Sequence, residues 1–370
     1  MKRLLILLTL LLHLQFIAAQ FPTAGEDRSG ETGKLSFLFT STGFFRNHEY
    51  FNPITEGYTL TGSHLRPLLA WTPVNALEIR GGLYMALWSG YEGGPEIKPV
   101  FSTTVHLSPN LKLTAGSLGG IDLHDMLDPH FRKDLFYTSF QEEGLQVLFT
   151  SNNISSDTWI DWERFTFHGD NGREEFTFGE SFMLNTGKIT GNLRMEFPTQ
   201  LLIKHRGGQI SNYTAPVETH MNIAAGTGII AGDGSARGTS RLDITFFLYH
   251  TGKELPGIPF TSGNALWIRG GHRFRNLDAS AGLWFSDNFY SPNGNMMFSS
   301  VSDYRPGTVI TNRRLLTGSI NYLRTWEAGF FSLFLGFDWY YDVREKNFDH
   351  SLTLRIRIPE RVYDIVRQNQ

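Results

Sequence analysis

Polar and apolar residues alternate one by one along most of the chain from about Lys34 onward. The alternation is clearest in four segments, at residues 77–87, 189–197, 331–341 and 351–358. Successive side chains of a β-strand point to opposite faces, so each segment carries one apolar and one polar surface. The pattern therefore predicts an all-β fold built from strands with two different faces.

Several alternating segments are long, notably those from Lys188 to about Lys204 and from Gly329 to Asp342. Strands of globular domains usually have about 3–10 residues, whereas a strand that crosses a bilayer needs about 9–11 residues inside the hydrocarbon. No run of apolar residues beyond the first nineteen is long enough for a helical span. These lengths favour a membrane barrel over a soluble sandwich.

The connections between these segments alternate between tight turns and longer polar loops. Tight turns are expected near residues 72–75, 108–110, 151–153, 185–188, 275–278 and 325–328, and longer loops near 46–57, 88–97, 118–142, 165–174, 206–216, 251–263, 286–309 and 342–348. Outer-membrane barrels place short turns in the periplasm and long loops outside the cell. We therefore predict a transmembrane antiparallel β-barrel of about 16 strands, within a range of about 14–18, at residues 34–358.

The first nineteen residues have the layout of a secretory signal peptide. Lys2 and Arg3 precede an apolar run that ends in small residues at Ala18 and Ala19, so cleavage is expected before Gln20. The rival interpretation, a helical membrane anchor, needs about 20 apolar residues and the run is shorter. The predicted location is the outer membrane of a Gram-negative cell.

Two short segments flank the predicted barrel. Residues 20–33 are expected to be a periplasmic N-terminal segment, and residues 359–370 a periplasmic C-terminal tail, because Pro359 cannot donate to a strand ladder. No Pro- or Ser-rich linker divides the chain between them, which indicates one domain.

Composition narrows the class of protein further. The chain of 370 residues has 30 phenylalanines, no cysteine and a formal charge of −3. Without cysteine there is neither a lipobox nor a disulfide, so packing or a closed hydrogen-bond network has to hold the fold. A mildly acidic chain also argues against a nucleic-acid partner.

The signal peptide, the strand alternation, the order of turns and loops, and the final strand FDHSLTLRIRI (348–358) together resemble a general porin or a related outer-membrane barrel. The resemblance covers essentially the whole mature chain. It implies passage of small solutes and, as porins commonly trimerise, a homo-oligomer. One departure is that the chain continues past Ile358 instead of ending on an aromatic residue, so an internal insertion signal is expected. The run WIDWERFTFHGDNGREEFTFG (159–179) is distinctive enough to be a family signature.

The polar faces of the strands are expected to line the lumen, and they carry both signs of charge nearly in balance, which argues against a single-sign selectivity ring. Two interpretations remain open: a field across a water-filled pore, or a mutually paired network that fills the barrel. The candidate lining residues are Arg66, Glu78, Arg80, Asp161, Glu163, Arg194, Glu196, Lys204, Arg269, Arg273, Arg313, Asp338 and Arg355.

The loop at 118–142 is the longest and is a candidate for folding inward as a constriction. It contains residues of metal-ligand chemistry but no tight metal motif, namely Asp122, His124, Asp125, Asp128 and His130. We therefore predict neither a metal nor a cofactor.

Catalytic motifs are scarce. Trp159 shares a strand face with Asp161 and Glu163, an arrangement that suits stacking on a sugar and that suggests a glycosidase; an interface aromatic beside an ion-paired carboxylate explains it equally. The chain has no GxSxG nucleophile elbow, P-loop or dinucleotide fingerprint. The sequence therefore predicts a protein that is not an enzyme.

The leading functional hypothesis is a porin-like channel for passive or weakly selective passage of small polar solutes. The alternative is a structural or interaction barrel that serves as a membrane platform for partner lipoproteins or for the handling of surface polymers. The expected partners are outer-membrane lipids, small polar solutes, and either further copies of the chain or a lipoprotein.

Deletion of residues 122–136 tests the constriction. If this loop narrows the lumen, the deletion raises the single-channel conductance in planar bilayers, because the loop no longer occupies the pore. An unchanged conductance would remove the constricting role.

Overall fold

The computed structural model describes residues 32–120, 124–208, 215–232, 238–326 and 329–367. These residues form one closed barrel in which every strand pairs with its neighbours in the chain and β1 pairs with β16. The strands are β1 Lys34–Glu49, β2 Thr59–Val74, β3 Leu77–Trp88, β4 Glu96–Ser108, β5 Leu111–Ser117, β6 Glu143–Thr150, β7 Ile154–Arg164, β8 Glu175–Thr190, β9 Leu193–Arg206, β10 Glu218–Ala231, β11 Thr239–Thr251, β12 Ser262–Phe274, β13 Leu277–Asp287, β14 Asn312–Trp326, β15 Phe331–Asp342 and β16 Asn347–Arg367. The predicted all-β barrel and its strand number are confirmed.

The ring is closed by the first and last strands. Antiparallel pairing of β1 with β16 extends from Lys34 opposite Arg367 to Glu49 opposite His350. Inside a bilayer no water is available to pair backbone N–H and C=O groups, so strands can cross it only in a ring without an open edge. Among the described residues, no helix is long and apolar enough to cross a membrane.

The outer wall is apolar, as the alternation predicts. On β11, Ile244, Phe246 and Leu248 are 46, 47 and 44 % exposed, whereas Thr245 and Phe247 between them are buried. Exposed apolar side chains at every second position suit contact with lipid tails. The outward residues of the strands therefore form the membrane-facing belt.

Two segments differ from the expectation, and several predicted ones lie outside the described residues. The last strand continues past residue 358 to Arg367, because Pro359 lies at a register shift in the β1–β16 pairing, where a missing N–H is tolerated. The loop expected at 342–348 is a tight turn at residues 343–346. The predicted signal peptide, residues 20–31, Asp122 and residues 368–370 lie outside the described residues.

The interior is filled by two loops, 118–142 and 288–311, whose described residues we call the plug. The plug contains helix α1, Leu135–Thr138, and a 3₁₀ turn, Met296–Phe298. Its two loops bind each other: the Arg132 amide donates to the Asn293 carbonyl at 2.7 Å and the Asn295 amide donates to the Asp128 carbonyl at 2.9 Å. The predicted inward folding of the longest loop is therefore observed.

Aromatic side chains pack the plug against the wall in two main clusters. One contains Phe247, Trp284, Phe289 and Phe298, and the other contains Phe44, Tyr84, Phe136 and Tyr137. Burial of large aromatic side chains dominates the energetics of such cores. Aromatic residues near strand ends often lie at the membrane interfaces, but the Phe44, Phe136 and Tyr137 side chains lie inside the barrel.

A charge placed on the outer wall tests the membrane-facing belt. Leu354 is 39 % exposed on β16, and Leu354→Arg is expected to lower the free energy of unfolding in liposomes by about 2–4 kcal/mol, because the guanidinium enters hydrocarbon. Val343→Arg is the control, since Val343 is similarly exposed but lies in a turn. Equal stability of the two variants would contradict the assignment of the belt.

Candidate functional site

Charged residues of the interior occur mostly in pairs. On β3, the Arg80 guanidinium contacts Glu78 at 2.5 Å and, across the ring closure, Glu360 of β16 at 3.1 Å. Glu78 and Arg80 are two residues apart, so they lie on one strand face. The predicted lining residues Glu78 and Arg80 therefore neutralise each other's charge.

A longer ladder of ion pairs follows the opposite wall. The Arg241 guanidinium contacts Glu196 and Asp243 at 2.6 Å each. Arg194 lies 3.7 Å from the same glutamate, and Arg269 lies 3.2 Å from the same aspartate. Alternating signs across β9–β12 favour a stabilising network over a free transverse field.

The remaining predicted lining residues are distributed between the plug and the two ends of the barrel. Arg66 donates to the carbonyls of Leu118 and Gly119, and the guanidinium of Arg355 lies 4.7 Å from the Phe136 ring centroid. The other predicted residues have partners on the strands. Lys204 pairs with Glu163 and Arg273 pairs with Asp278. Asp161 accepts a hydrogen bond from the Glu143 amide, and Asp338 accepts one from the Ser351 hydroxyl.

His124 forms a charged centre where the plug leaves the wall. Its Nδ1 lies 2.8 Å from Asp157 Oδ2, its Nε2 lies 2.7 Å from Glu142 Oε2, and its ring stacks on Trp159 at 3.7 Å. Burial lowers the pKa of His124, but the two carboxylates outweigh burial and raise that pKa to about 10. With both ring nitrogens donating, the imidazolium has no lone pair for base catalysis.

A glycine makes room for this stack. Gly179 on β8 pairs with Trp159 on β7, and a Cβ atom at Gly179 would lie 2.2 Å from the indole ring. Any larger residue would push the indole away from the wall and from His124. The run 159–179, which the sequence singled out, therefore begins and ends at the two residues that shape this contact.

The other metal-ligand residues of the loop do not converge. Asp128 accepts a hydrogen bond from Asn295 at 2.6 Å, and His130 is fully buried against the ring of Phe247, where burial lowers its pKa to about 3. Within the described residues no group of three His, Asp or Glu side chains is arranged to hold a metal ion.

One ion pair and one buried arginine fix the plug to the wall. Asp134 contacts Arg46 of β1 at 2.7 Å; burial raises the Asp134 pKa, but the guanidinium outweighs burial and holds that pKa at about 2. Three strands further round the ring, on β14, buried Arg313 donates to the carbonyls of Met297 and Ser299 at 2.6 and 2.9 Å and pairs with Asp342 of β15. The plug is therefore held at two separate strands of the ring, β1 and β14.

A separate cavity opens on the outer wall, and we call it the outer groove. It has a volume of about 420 Å³ and is lined by Met221, Ile223, Leu248, Tyr249, His250, Ser262, Gly263, Asn264, Asp287 and Asn288. Its position is set by the strands: β11 ends, β12 begins and β13 ends at these residues. The outer groove thus lies at the long-loop end of the barrel, facing away from the lumen.

The outer groove combines two kinds of surface. His250 pairs in register with Ser262 across β11 and β12, and Asn264 pairs with Asp287 across β12 and β13. Directly opposed residues of this kind have Cβ atoms about 4.5–5.5 Å apart. A row of polar side chains therefore borders the aliphatic belt at the level where that belt ends.

The same two strands carry a second histidine–serine pair at their other end. His272 Nδ1 lies 2.9 Å from Ser240 Oγ, and both residues are exposed on the outer face. This pair is not part of the outer groove, so it offers a comparison of equal chemistry at the short-turn end of the barrel.

The polar residues of the outer groove were not singled out from the sequence, although one signal was present. His250 continues the outward register of Leu242, Ile244, Phe246 and Leu248. A histidine in the lipid-facing register next to a long loop marks an interfacial site. Ser262, Asn264 and Asp287 have no local motif, because two different strands bring them beside His250.

Comparison with known proteins gives one family and a set of barrels. The model of the lipid A 3'-O-deacylase-type family matches residues 26–363. The fold is similar to OprD of Pseudomonas aeruginosa, with 8% identity, a TM-score of 0.54, and coverage of 92% of this chain and 99% of OprD. The fold is also similar to OccAB3 of Acinetobacter baumannii, with 9% identity, a TM-score of 0.52, and coverage of 89% of this chain and 99% of OccAB3. No protein with a curated description matches.

A third structure shares the fold: OccK2 of Pseudomonas aeruginosa in complex with glucuronate, with 9% identity, a TM-score of 0.53, and coverage of 91% of this chain and 99% of OccK2. The predicted resemblance to porin-like outer-membrane barrels is confirmed at the level of the fold. The prediction that the chain is not an enzyme is wrong, because the family whose model matches it is an enzyme family. Short-motif reasoning missed this, since the chain carries no nucleophile elbow.

The charged state of His124 makes the plug sensitive to alkaline pH. The folded pKa, about 10, lies above the ordinary value of 6.5, so the stabilisation is complete below pH 6.5 and is lost as the pH rises towards 10. His124→Gln leaves the buried carboxylates of Glu142 and Asp157 without a cation and is expected to cost about 3–5 kcal/mol at neutral pH.

Tryptophan fluorescence measures this effect, because Trp159 stacks directly on His124. We expect the wild-type emission to change between pH 7 and pH 10 and the His124→Gln emission to stay constant over that range. His250→Gln is the control, since that histidine lies on the outer wall. A wild-type titration centred near pH 6.5 would contradict the charged clamp.

Proposed function

The chain belongs to the lipid A 3'-O-deacylase-type family, and on that premise we propose that it hydrolyses the ester bond of an acyl chain carried by a lipid A-type glycolipid. The outer groove is the site of the reaction. The observation that carries this proposal is the row of polar residues on the lipid-facing side of the barrel, at the long-loop end.

The position of the outer groove suits a lipid substrate. The ester bonds of a glycolipid lie where sugar meets hydrocarbon, and the polar row borders the aliphatic belt at that level. Met221, Ile223 and Leu248 continue the outer groove towards the hydrocarbon, where they can pack along an acyl chain. A glycolipid of the outer leaflet reaches this site by lateral diffusion, without entering the lumen.

Ester hydrolysis needs a base and donors for the oxyanion. His250 takes the proton of the water molecule that attacks the acyl carbonyl, and the Ser262 hydroxyl and the Asn264 amide on the neighbouring strand donate hydrogen bonds to the oxygen that becomes negative. The alcohol oxygen of the sugar leaves and receives that proton, which yields a free fatty acid and a glycolipid with one acyl chain fewer.

Within the part of the chain that the structure describes, we find no equivalent row of residues open to a lipid in the interior. His124 is fixed between two carboxylates, and the plug packs against the inner wall through two aromatic clusters, which leaves less room inside for a bulky lipid. Export also belongs to this proposal: residues 1–19 act as a cleaved signal peptide, which delivers the barrel to the outer membrane where lipid A lies.

Removal of the base tests the proposal. His250→Ala is expected to lower kcat/KM for release of fatty acid by about 10²–10⁴-fold, the usual contribution of a general base. The measurement is mass spectrometry of lipid A-containing proteoliposomes after incubation with the purified protein. His272→Ala is the matched control, because it removes a histidine from the same strand pair and the same outer face.

Loss of activity in both histidine variants would point to a damaged barrel and not to a site. Full activity of the His250→Ala variant would exclude the outer groove as the place of hydrolysis. Release of fatty acid by the wild type alone, without release by the His250→Ala variant, supports it.

Passage of small polar solutes is a second candidate function. It is supported by the polar, ion-paired lining of β9–β12 and by a fold shared with OccK2, whose structure contains glucuronate. Planar-bilayer recording of the purified protein tests it. Conductance steps that grow when Asp134→Ala releases the plug from Arg46 would support a channel, and a silent bilayer with both proteins would exclude one.

A further inference from the structure

An arginine lies on the lipid-facing wall beside the outer groove. Arg314 of β14 is exposed, whereas its neighbours Arg313 and Leu315 are buried, so its side chain points outward. Among the described residues no carboxylate lies within ion-pair distance of its guanidinium. The preceding residue, Arg313, points inward and instead donates hydrogen bonds to the plug and to Asp342.

Register places Arg314 close to the polar row. β13 pairs with β14 so that Phe285 faces Arg314 and Asp287 faces Asn312. Asp287, which lines the outer groove, is therefore the diagonal neighbour of Arg314, at about 7–8 Å. The Asp287 carboxylate already accepts a hydrogen bond from Asn312 at 3.2 Å.

The adjoining turn adds positive charge at the same rim. The Val343 amide donates to the Arg314 carbonyl at 2.9 Å, which fixes the turn 343–346 next to this arginine. Arg344 and Lys346 of the turn are exposed, together with a single carboxylate at Glu345. The rim beside the outer groove thus carries more cations than anions.

An unpaired guanidinium on the lipid face has a restricted set of partners. In the middle of the bilayer it costs about 2–4 kcal/mol, and near the interface about 0–1 kcal/mol, so this position suits the level of the lipid headgroups. Planar guanidinium binds phosphate through two parallel hydrogen bonds, and phosphate is the anion that membrane lipids present at that level.

We infer that Arg314 is the main residue of a phosphate-binding subsite that holds a phosphate group of the glycolipid whose ester lies in the outer groove. This inference rests on the proposed function and adds a specificity-determining residue to it: the preferred substrate is a phosphorylated glycolipid. The phosphate is bound at the rim, and the acyl ester is presented to His250 three strands away.

Lipid binding, measured without turnover, tests the subsite. The protein carries His250→Ala and is placed in nanodiscs with trace lipid A, and bound lipid is quantified by native mass spectrometry. Arg314→Gln is expected to weaken binding of phosphorylated lipid A by about ten- to hundredfold, the value of a charge-assisted hydrogen bond. Binding of the same lipid after phosphatase treatment is expected to stay unchanged.

Arg324→Gln is the matched control. Arg324 lies on the same strand and the same outer face, and it is exposed at the short-turn end, where its guanidinium stacks on Trp326 at 4.8 Å. Its removal leaves binding of phosphorylated lipid A unchanged. Arg314→Lys, which keeps the charge but not the two parallel donors, is expected to restore part of the binding.

The outcomes separate this inference from the proposed function. Equal loss of phosphorylated and phosphatase-treated lipid A in the Arg314→Gln variant would overturn the subsite, as would equal dependence on Arg314 for phosphatidylglycerol, which would make the site one for phospholipids in general. A phosphate-dependent loss supports it. The hydrolysis assay with His250→Ala is read independently, so failure of either proposal leaves the other testable.

Discussion

The fold depends on the pairing of every backbone N–H and C=O group that lies in hydrocarbon. β1 and β16 supply that pairing at the seam of the ring, and the other strands supply it between chain neighbours. A closed ring separates two environments, so odd and even residues of one strand are selected for oil on one side and for polar contacts on the other. The charged network inside the ring and the outer groove on its outside both follow from this separation.

Inside the ring, charged side chains are stabilised by ion pairs, and the two plug loops pack against the wall. The carboxylates of Glu196 and Asp243, which Arg241 pairs, and the clamp around His124 are buried groups that would be costly alone. Since the plug packs inside the ring, the proposed hydrolysis of a large amphipathic lipid takes place on the outside. The outer groove meets that requirement, because it opens directly towards the membrane.

Much of the fold was predictable, because period-two alternation and the order of turns and loops are local signals. The end of the last strand was not, since tolerance of Pro359 depends on a register shift with β1. Nor were the packed positions of Phe136 and Tyr137, because loop residues have no periodicity and their contacts come from distant strands. The candidate site was only partly predictable. His250 is a polar residue in an otherwise apolar register, but Ser262, Asn264 and Asp287 are brought beside it by β12 and β13.

The anchors of the plug have a consequence for the order of folding. In the loop 118–142, Asp134 contacts Arg46 on β1 and the Leu127 amide donates to the Gln200 side chain on β9. This loop therefore obtains both partners only after the sheet has curved towards a ring. A seated plug is consequently a late event in biogenesis, and its protection from protease would report that a newly inserted barrel has completed its assembly.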